Sequence, residues 1–144
     1  MNPSVAALLA FAIWTIAVLS FTIGIVRWRL IFAGKAELKS FPGDAPHGSP
    51  FYRRATRAHA NCVENLPVFT AIVLAAQASA TQSPMLDLLA VTAFVARVFQ
   101  TTTHLVSGAN TAIAIRFSFL MVQLVAFFWM GGLIALHALA TGLT

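Results

Sequence analysis

The chain has 144 residues, 59% of them apolar and only 9% charged, with a mean hydropathy of +0.84. Soluble domains carry about 25% charged residues, so a cytosolic globule is excluded, and one cysteine amid abundant Leu, Ile, Val and Phe excludes disulfide-stapled and disordered chains. The net charge of +5 does not point to nucleic acid, because no soluble basic surface exists to hold a phosphate backbone, and the length fits a single domain over 1–144.

About 20 predominantly apolar residues are needed for a helix to cross the hydrocarbon core. Ser4 to Val26 carries no charge and ends in Arg27-Trp28-Arg29, an interfacial anchor that predicts a first span at about 4–32. No basic segment precedes it, so it does not read as a cleaved secretory signal. The one real loop runs from about Gly34 to Pro50. Its stretch Phe41-Pro42-Gly43-Asp44-Ala45-Pro46-His47-Gly48-Ser49-Pro50 is too rich in proline and glycine for regular structure. Asn65 to Leu86 is uncharged, and its helix is expected to begin upstream, giving a second span at about 52–80 with Pro67 kinking it and freeing the Val63 carbonyl. Pro84 starts the third span, about 84–105, with Asp87 near its start and Arg97 deeper in. A short turn around Val106 to Thr111 leads to the fourth, about 112–139, with Arg116 at its entry and no charge afterwards. The expected fold is an all-α integral membrane bundle of four transmembrane helices, pairs one–two and three–four being antiparallel neighbours. No internal repeat is present.

Seven of the nine basic residues (Arg27, Arg29, Lys35, Lys39, Arg53, Arg54, Arg57) lie between positions 27 and 57. The first loop is therefore expected to face the cytoplasm, with both termini on the opposite side of an inner or plasma membrane if the source is bacterial. Arg97 and Arg116 fall towards the same side, which gathers all the positive charge in one half of the membrane.

Within Phe51 to Pro67, Arg57, Asn61 and Glu64 stand at i, i+4 and i+7 and share one helix face, with Arg54 on its edge. Helix three repeats the pattern with Arg97, Gln100 and His104; Arg116 and Gln123 are seven apart on helix four, and Arg27 closes helix one at the same depth. Three or four helices are thus expected to turn polar faces inwards. A lone intramembrane carboxylate is costly, so Glu64 faces other protein. Two accounts stay open: Glu64 pairs with Arg97 or Arg116 and pins helices together, or these groups line a pocket. Such a pocket suits a zwitterion with more carboxylates than amines, since arginine forks match carboxylates, Glu64 can receive an ammonium, and a further arginine can stabilise a thiolate. Glutathione has that charge pattern.

The run Arg57-Ala58-His59-Ala60-Asn61-Cys62-Val63-Glu64-Asn65-Leu66-Pro67-Val68-Phe69 resembles the second-helix signature of the MAPEG family, the membrane-associated proteins of eicosanoid and glutathione metabolism. Val26-Arg27-Trp28-Arg29, Ala96-Arg97-Val98 and four spans in this length extend the likeness. The resemblance implies a homotrimer of four-helix protomers with glutathione, as co-substrate, between neighbouring subunits near the cytoplasmic face. It implies that Arg57, Asn61 and Glu64 bind glutathione with Arg27 and Arg97, and that Gln100 and His104 stand where animal members carry His or Tyr and then Tyr. It assigns thiolate stabilisation to Arg116, although 19 residues separate it from Arg97, a longer spacing than in the animal synthases, and Phe117 follows it, with Ser118 the nearest hydroxyl.

Cys62 reads as a small packing residue, because the resembled chemistry uses the thiol of glutathione. His47, His59, His104 and His137 have no metal-ligand spacing, so no metal site is expected. Trp28 and Trp129 read as packing or interfacial aromatics. The reading is a trimeric membrane enzyme that brings glutathione to lipophilic electrophiles or peroxides, with itself, membrane lipids and lipophilic small molecules as partners. The alternative is a non-catalytic lipid-binding or scaffold protein on the same fold. A transporter fits less well, since inverted repeats and broken midplane helices are missing.

Overall fold

In the computed structural model, residues 1–42 and 47–142 are described. Gly43, Asp44, Ala45 and Pro46 of the predicted irregular loop, with Leu143 and Thr144, lie outside the described residues. The described residues include four long helices: α1 (Pro3–Phe32), α2 (Pro50–Ala78), α3 (Pro84–Val106) and α4 (Asn110–Thr141).

Three of them begin on the same local device, a polar cap followed by proline at the first helical position. Asn2 Oδ1 accepts from Ser4 N (3.0 Å), Ser49 Oγ from Tyr52 N (3.2 Å) and Ser83 Oγ from Met85 N (3.2 Å). Each side chain satisfies an amide that the helix itself leaves unpaired, and proline there sacrifices no hydrogen bond. α4 closes on Gly142 in the left-handed conformation. Pro67 lies inside α2, and the helix runs through it unbroken.

α1 is not uniform. Leu19–Gly24 is a π-helical segment between two α-helical stretches. Before it the buried positions are Ser4, Ala7, Phe11, Thr15 and Val18, spaced by three or four; within it the buried stripe resumes at Ile23, five residues on. The extra residue absorbed by the wider turn resets the phase of the helix, and Arg27, one turn after Ile23, is carried to the side that meets α2.

α3 and α4 pack along each other most extensively, and α1 sits against α3 and α2. The core joins Phe11, Phe69, Val73, Leu86, Phe127 and Met130 with many small residues, including Ala7, Ala76, Ala90, Ala93 and Ala126, which let the backbones approach closely. Phe69 stands between Phe11 and Phe127 with ring centroids 5.6 and 5.5 Å away. Contacts at the ends set the directions. Asp87 Oδ1 accepts from Ser4 N (3.1 Å), bringing the starts of α1 and α3 together. Arg27 bonds Tyr52, and Arg54 donates from Nε and Nη2 to the Leu105 carbonyl (both 3.3 Å), so the ends of α1 and α3 share a level with the start of α2. The helices therefore alternate up and down.

α1, α3 and α4 are long and apolar enough to cross a membrane. α2 has the length, but its first half carries Arg53, Arg54, Arg57 and Glu64. Large apolar side chains such as Phe21, Phe32, Phe128 and Leu139 are exposed around the bundle, as expected of a surface solvated by lipid rather than water.

Candidate functional site

The two polar faces predicted for α2 and α3 point in different directions. On α2 the buried stripe is Tyr52, Ala55, Ala58, Cys62, Phe69, Val73 and Ala76. Arg57 and Glu64 are exposed and Asn61 half-buried, so this face turns away from the core. The expectation that it turns inwards is corrected here. The reason is steric and electrostatic together: alanines and Cys62 on the opposite side permit close helix packing, and charged groups cost least where the bundle leaves them open.

On α3, by contrast, Arg97, Gln100 and Thr101 are buried. Arg97 is only 1% exposed, with its guanidinium carbon 5.4 Å from the centre of the Phe11 ring. Its Nε and Nη2 have no hydrogen-bond partner. Beside it, Cys62 Sγ and Thr101 Oγ1 are 3.5 Å apart across the α2–α3 seam. Gln100 accepts from Gln123 Nε2 of α4 at 2.9 Å. Arg97 and Gln100 are thus inside one protomer, behind α2, whereas Arg57, Asn61 and Glu64 are on its outside. The charges of Glu64 and Arg97 still act on each other through that layer.

No salt bridge joins Glu64 to Arg97 or Arg116. Among the described residues the one ion pair is Lys39 with Glu37 (2.9 Å), exposed in the first loop. Helix pinning through a Glu64 ion pair is therefore not what the protomer uses, and Arg57, Glu64 and Arg116 have no ion-pair partner among the described residues.

At the basic end, His104 is half-buried with Nδ1 unpartnered, and the positive fields of Arg116, Arg57 and Arg54 converge on it. Two helices thus bring guanidiniums to one locality, Arg54 and Arg57 from α2 and Arg116 from α4, near His104 of α3. Ser118 is exposed and donates to Ala114 O of its own helix (3.1 Å). Arg27, from α1, donates Nε to the Tyr52 hydroxyl at 2.7 Å and lies 5.2 Å from the Phe41 ring centroid.

Tyr52 and Phe41 were not singled out by sequence as functional, nor was Phe11 as a cover for Arg97. Tyr52 carried a usable signal: it begins the apolar stripe that continues through Ala55, Ala58 and Cys62. The aromatic partners of Arg27 and Arg97 come from other elements and leave no trace in local spacing. Among the described residues no group of His, Cys, Asp and Glu could hold a metal ion.

Chemically, an outward face with one carboxylate beside arginines that make no ion pair among the described residues suits an anionic zwitterion. Compared with known families, residues 4–136 match the model of the MAPEG family. No curated protein gives a match.

Proposed function

The chain belongs to the MAPEG family, and from that premise we propose that it is a membrane-embedded enzyme that binds glutathione and activates its thiol towards lipophilic electrophiles or peroxides. All four helices span the membrane in this reading, the basic end faces the cytoplasm, and three copies assemble with a glutathione between neighbours. The observation that carries the reading is the outward face of α2. Arg57, Asn61 and Glu64 are charged or polar, have no side-chain partner among the described residues and are set at the edge of an apolar bundle; such a face is costly against lipid and is covered at low cost by a polar ligand and a second copy.

Arg27, Arg57 and His104 meet the two carboxylates of the tripeptide, Asn61 hydrogen-bonds its backbone, and Glu64 receives its ammonium. Arg97 and Gln100 act from behind: the buried guanidinium puts positive charge behind the α2 face, and Gln100 locks α3 to α4. Arg116 stabilises the thiolate, the nucleophilic form of a thiol. In conjugation the thiolate sulfur bonds to the electrophilic carbon and the leaving group departs with its electron pair. In peroxide reduction the sulfur attacks an oxygen, the alkoxide takes a proton, and a second glutathione converts the sulfenic acid to a disulfide and water.

The test is calorimetric titration of glutathione into the detergent-solubilised protein, with its oligomeric mass measured alongside. Saturable binding that weakens by about tenfold or more in Arg57→Ala and Glu64→Gln is expected. Variants that remain folded trimers and bind as wild type does would overturn the site. Ultraviolet thiolate absorbance near neutral pH should appear with glutathione and vanish in Arg116→Ala. Binding without turnover of 1-chloro-2,4-dinitrobenzene or an alkyl hydroperoxide would favour the scaffold reading instead.

A further inference from the structure

Tyr52 is the first buried residue of α2, 2% exposed, and residues of the preceding loop pack against its ring. His47 lies 5.1 Å from it and Phe41 6.3 Å, centroid to centroid. Gly48 passes so close, at φ +77°, that a Cβ there would stand 2.9 Å from Tyr52 Cδ1. The hydroxyl is thereby held at a fixed point, and it accepts from Arg27 Nε at 2.7 Å. The guanidinium also lies over aromatic faces, 5.2 Å from the Phe41 centroid and 5.8 Å from that of Tyr52. Cations over such faces are attracted by the ring quadrupole.

A guanidinium can grip a carboxylate along either of two kinds of edge: the side, through Nε and one Nη, or the end, through both Nη atoms. In Arg27 the Nε is occupied. Among the described residues its terminal nitrogens have no hydrogen bond or ion pair, and the side chain is only partly buried. We propose that Tyr52 is the positioning residue for Arg27, closing its side edge and aiming its Nη1–Nη2 end at one carboxylate of the bound tripeptide, with Phe41 holding the guanidinium plane. This rests on the glutathione reading above and adds to it which residues orient one of the cations. The gain is in preorganisation: a long side chain fixed before binding loses less freedom when the ligand arrives.

The experiment compares wild type with Tyr52→Phe, which removes one oxygen and leaves the ring contacts intact, and with Phe41→Leu, a loop change that spares the bundle. Each is assayed for KM and kcat with glutathione and with its two mono-amides, one blocked at the glycyl carboxylate and one at the γ-glutamyl carboxylate. In Tyr52→Phe the KM for glutathione should rise about tenfold with kcat at saturation within about twofold, matching the loss of a hydrogen bond to a charged group. The penalty for amidating one of the carboxylates, and not the other, should shrink by a similar factor. Phe41→Leu should move KM in the same direction, by about threefold. If Tyr52→Phe leaves KM unchanged, or raises it equally for both amides with kcat falling in step, the positioning role is wrong. That failure is separable from failure of the site itself, since Arg57→Ala and Glu64→Gln weaken binding only if the site reading holds.

Discussion

Gln123 donates its side-chain amide to the Gln100 carbonyl at 2.9 Å across the α3–α4 seam, and both side chains are buried. The same nitrogen also donates to Phe119 O of its own helix at 3.0 Å. Replacing Gln123 by Leu strands the Gln100 oxygen in an apolar seam, which should cost about 1–2 kcal/mol. The double variant Gln100→Leu/Gln123→Leu removes both partners and should recover most of that loss. Thermal unfolding in detergent of the four-member cycle checks this; additive losses would mean that the two amides do not depend on each other.

Among the described residues Arg97 is the largest fully buried side chain, and what faces its charge there is a ring face, a thiol and, across α2, Glu64. Breaking no ion pair, Arg97→Met should change stability by less than about 1 kcal/mol, because the lost contacts are offset by relief from burying a charge. Arg97→Ala leaves a cavity and should cost about 2–4 kcal/mol. Glutathione affinity in Arg97→Met should fall by less than about threefold, since the side chain stops short of the outer face. A tenfold loss in a variant of normal thermal stability would instead place the ligand inside the protomer.

The π-helical turn Leu19–Gly24 accommodates one residue more than an α-helix would over the same rise. Deleting the exposed Ser20 should convert it to regular α-helix while leaving Ile23 and Arg27 on the α2 side. Deleting Ile13 in the α-helical part of α1 rotates everything beyond it by about 100° relative to the segment before. Glutathione titration of the two deletions should show binding retained in the first and abolished in the second.

Ala80 holds φ at +52°, in the left-handed region, in the turn that joins α2 to α3. The turn is stitched by Thr81 N to Ala76 O (2.9 Å) and Ala80 N to Gln77 O (3.2 Å), a helix-ending pattern that normally takes glycine. Ala80→Gly should therefore stabilise the protein by about 0.5–1 kcal/mol, and Ala80→Val should destabilise it. Both shifts are read from thermal unfolding, and glutathione binding should not change, because this turn is at the end opposite the basic cluster.

The membrane class and the family were legible in composition and in the Arg57–Phe69 run, and Ser-Pro at positions 49–50 and 83–84 marks where α2 and α3 begin. The candidate site was legible as a set of residues and not as an arrangement. Arg57 and Glu64 were correctly grouped on one face of α2, as were Arg97 and Gln100 on one face of α3, yet both faces were expected to turn inwards. Tyr52 and Phe41 went unnoticed because what matters about them is their distance from Arg27, far away along the chain.

By itself the sequence determines which segments are helical and apolar and which residues share a helix face, because a period of about 3.6 residues and the cost of unpaired backbone in lipid are local constraints. Only the tertiary structure decides which way each face looks. Periodicity defines directions relative to a helix's own axis, while the absolute direction depends on which neighbour offers alanines to pack against. In α1 even the relative phase is reset by one wide turn. Arg97 therefore lies inside the bundle and Glu64 outside it, and Arg27 meets Tyr52.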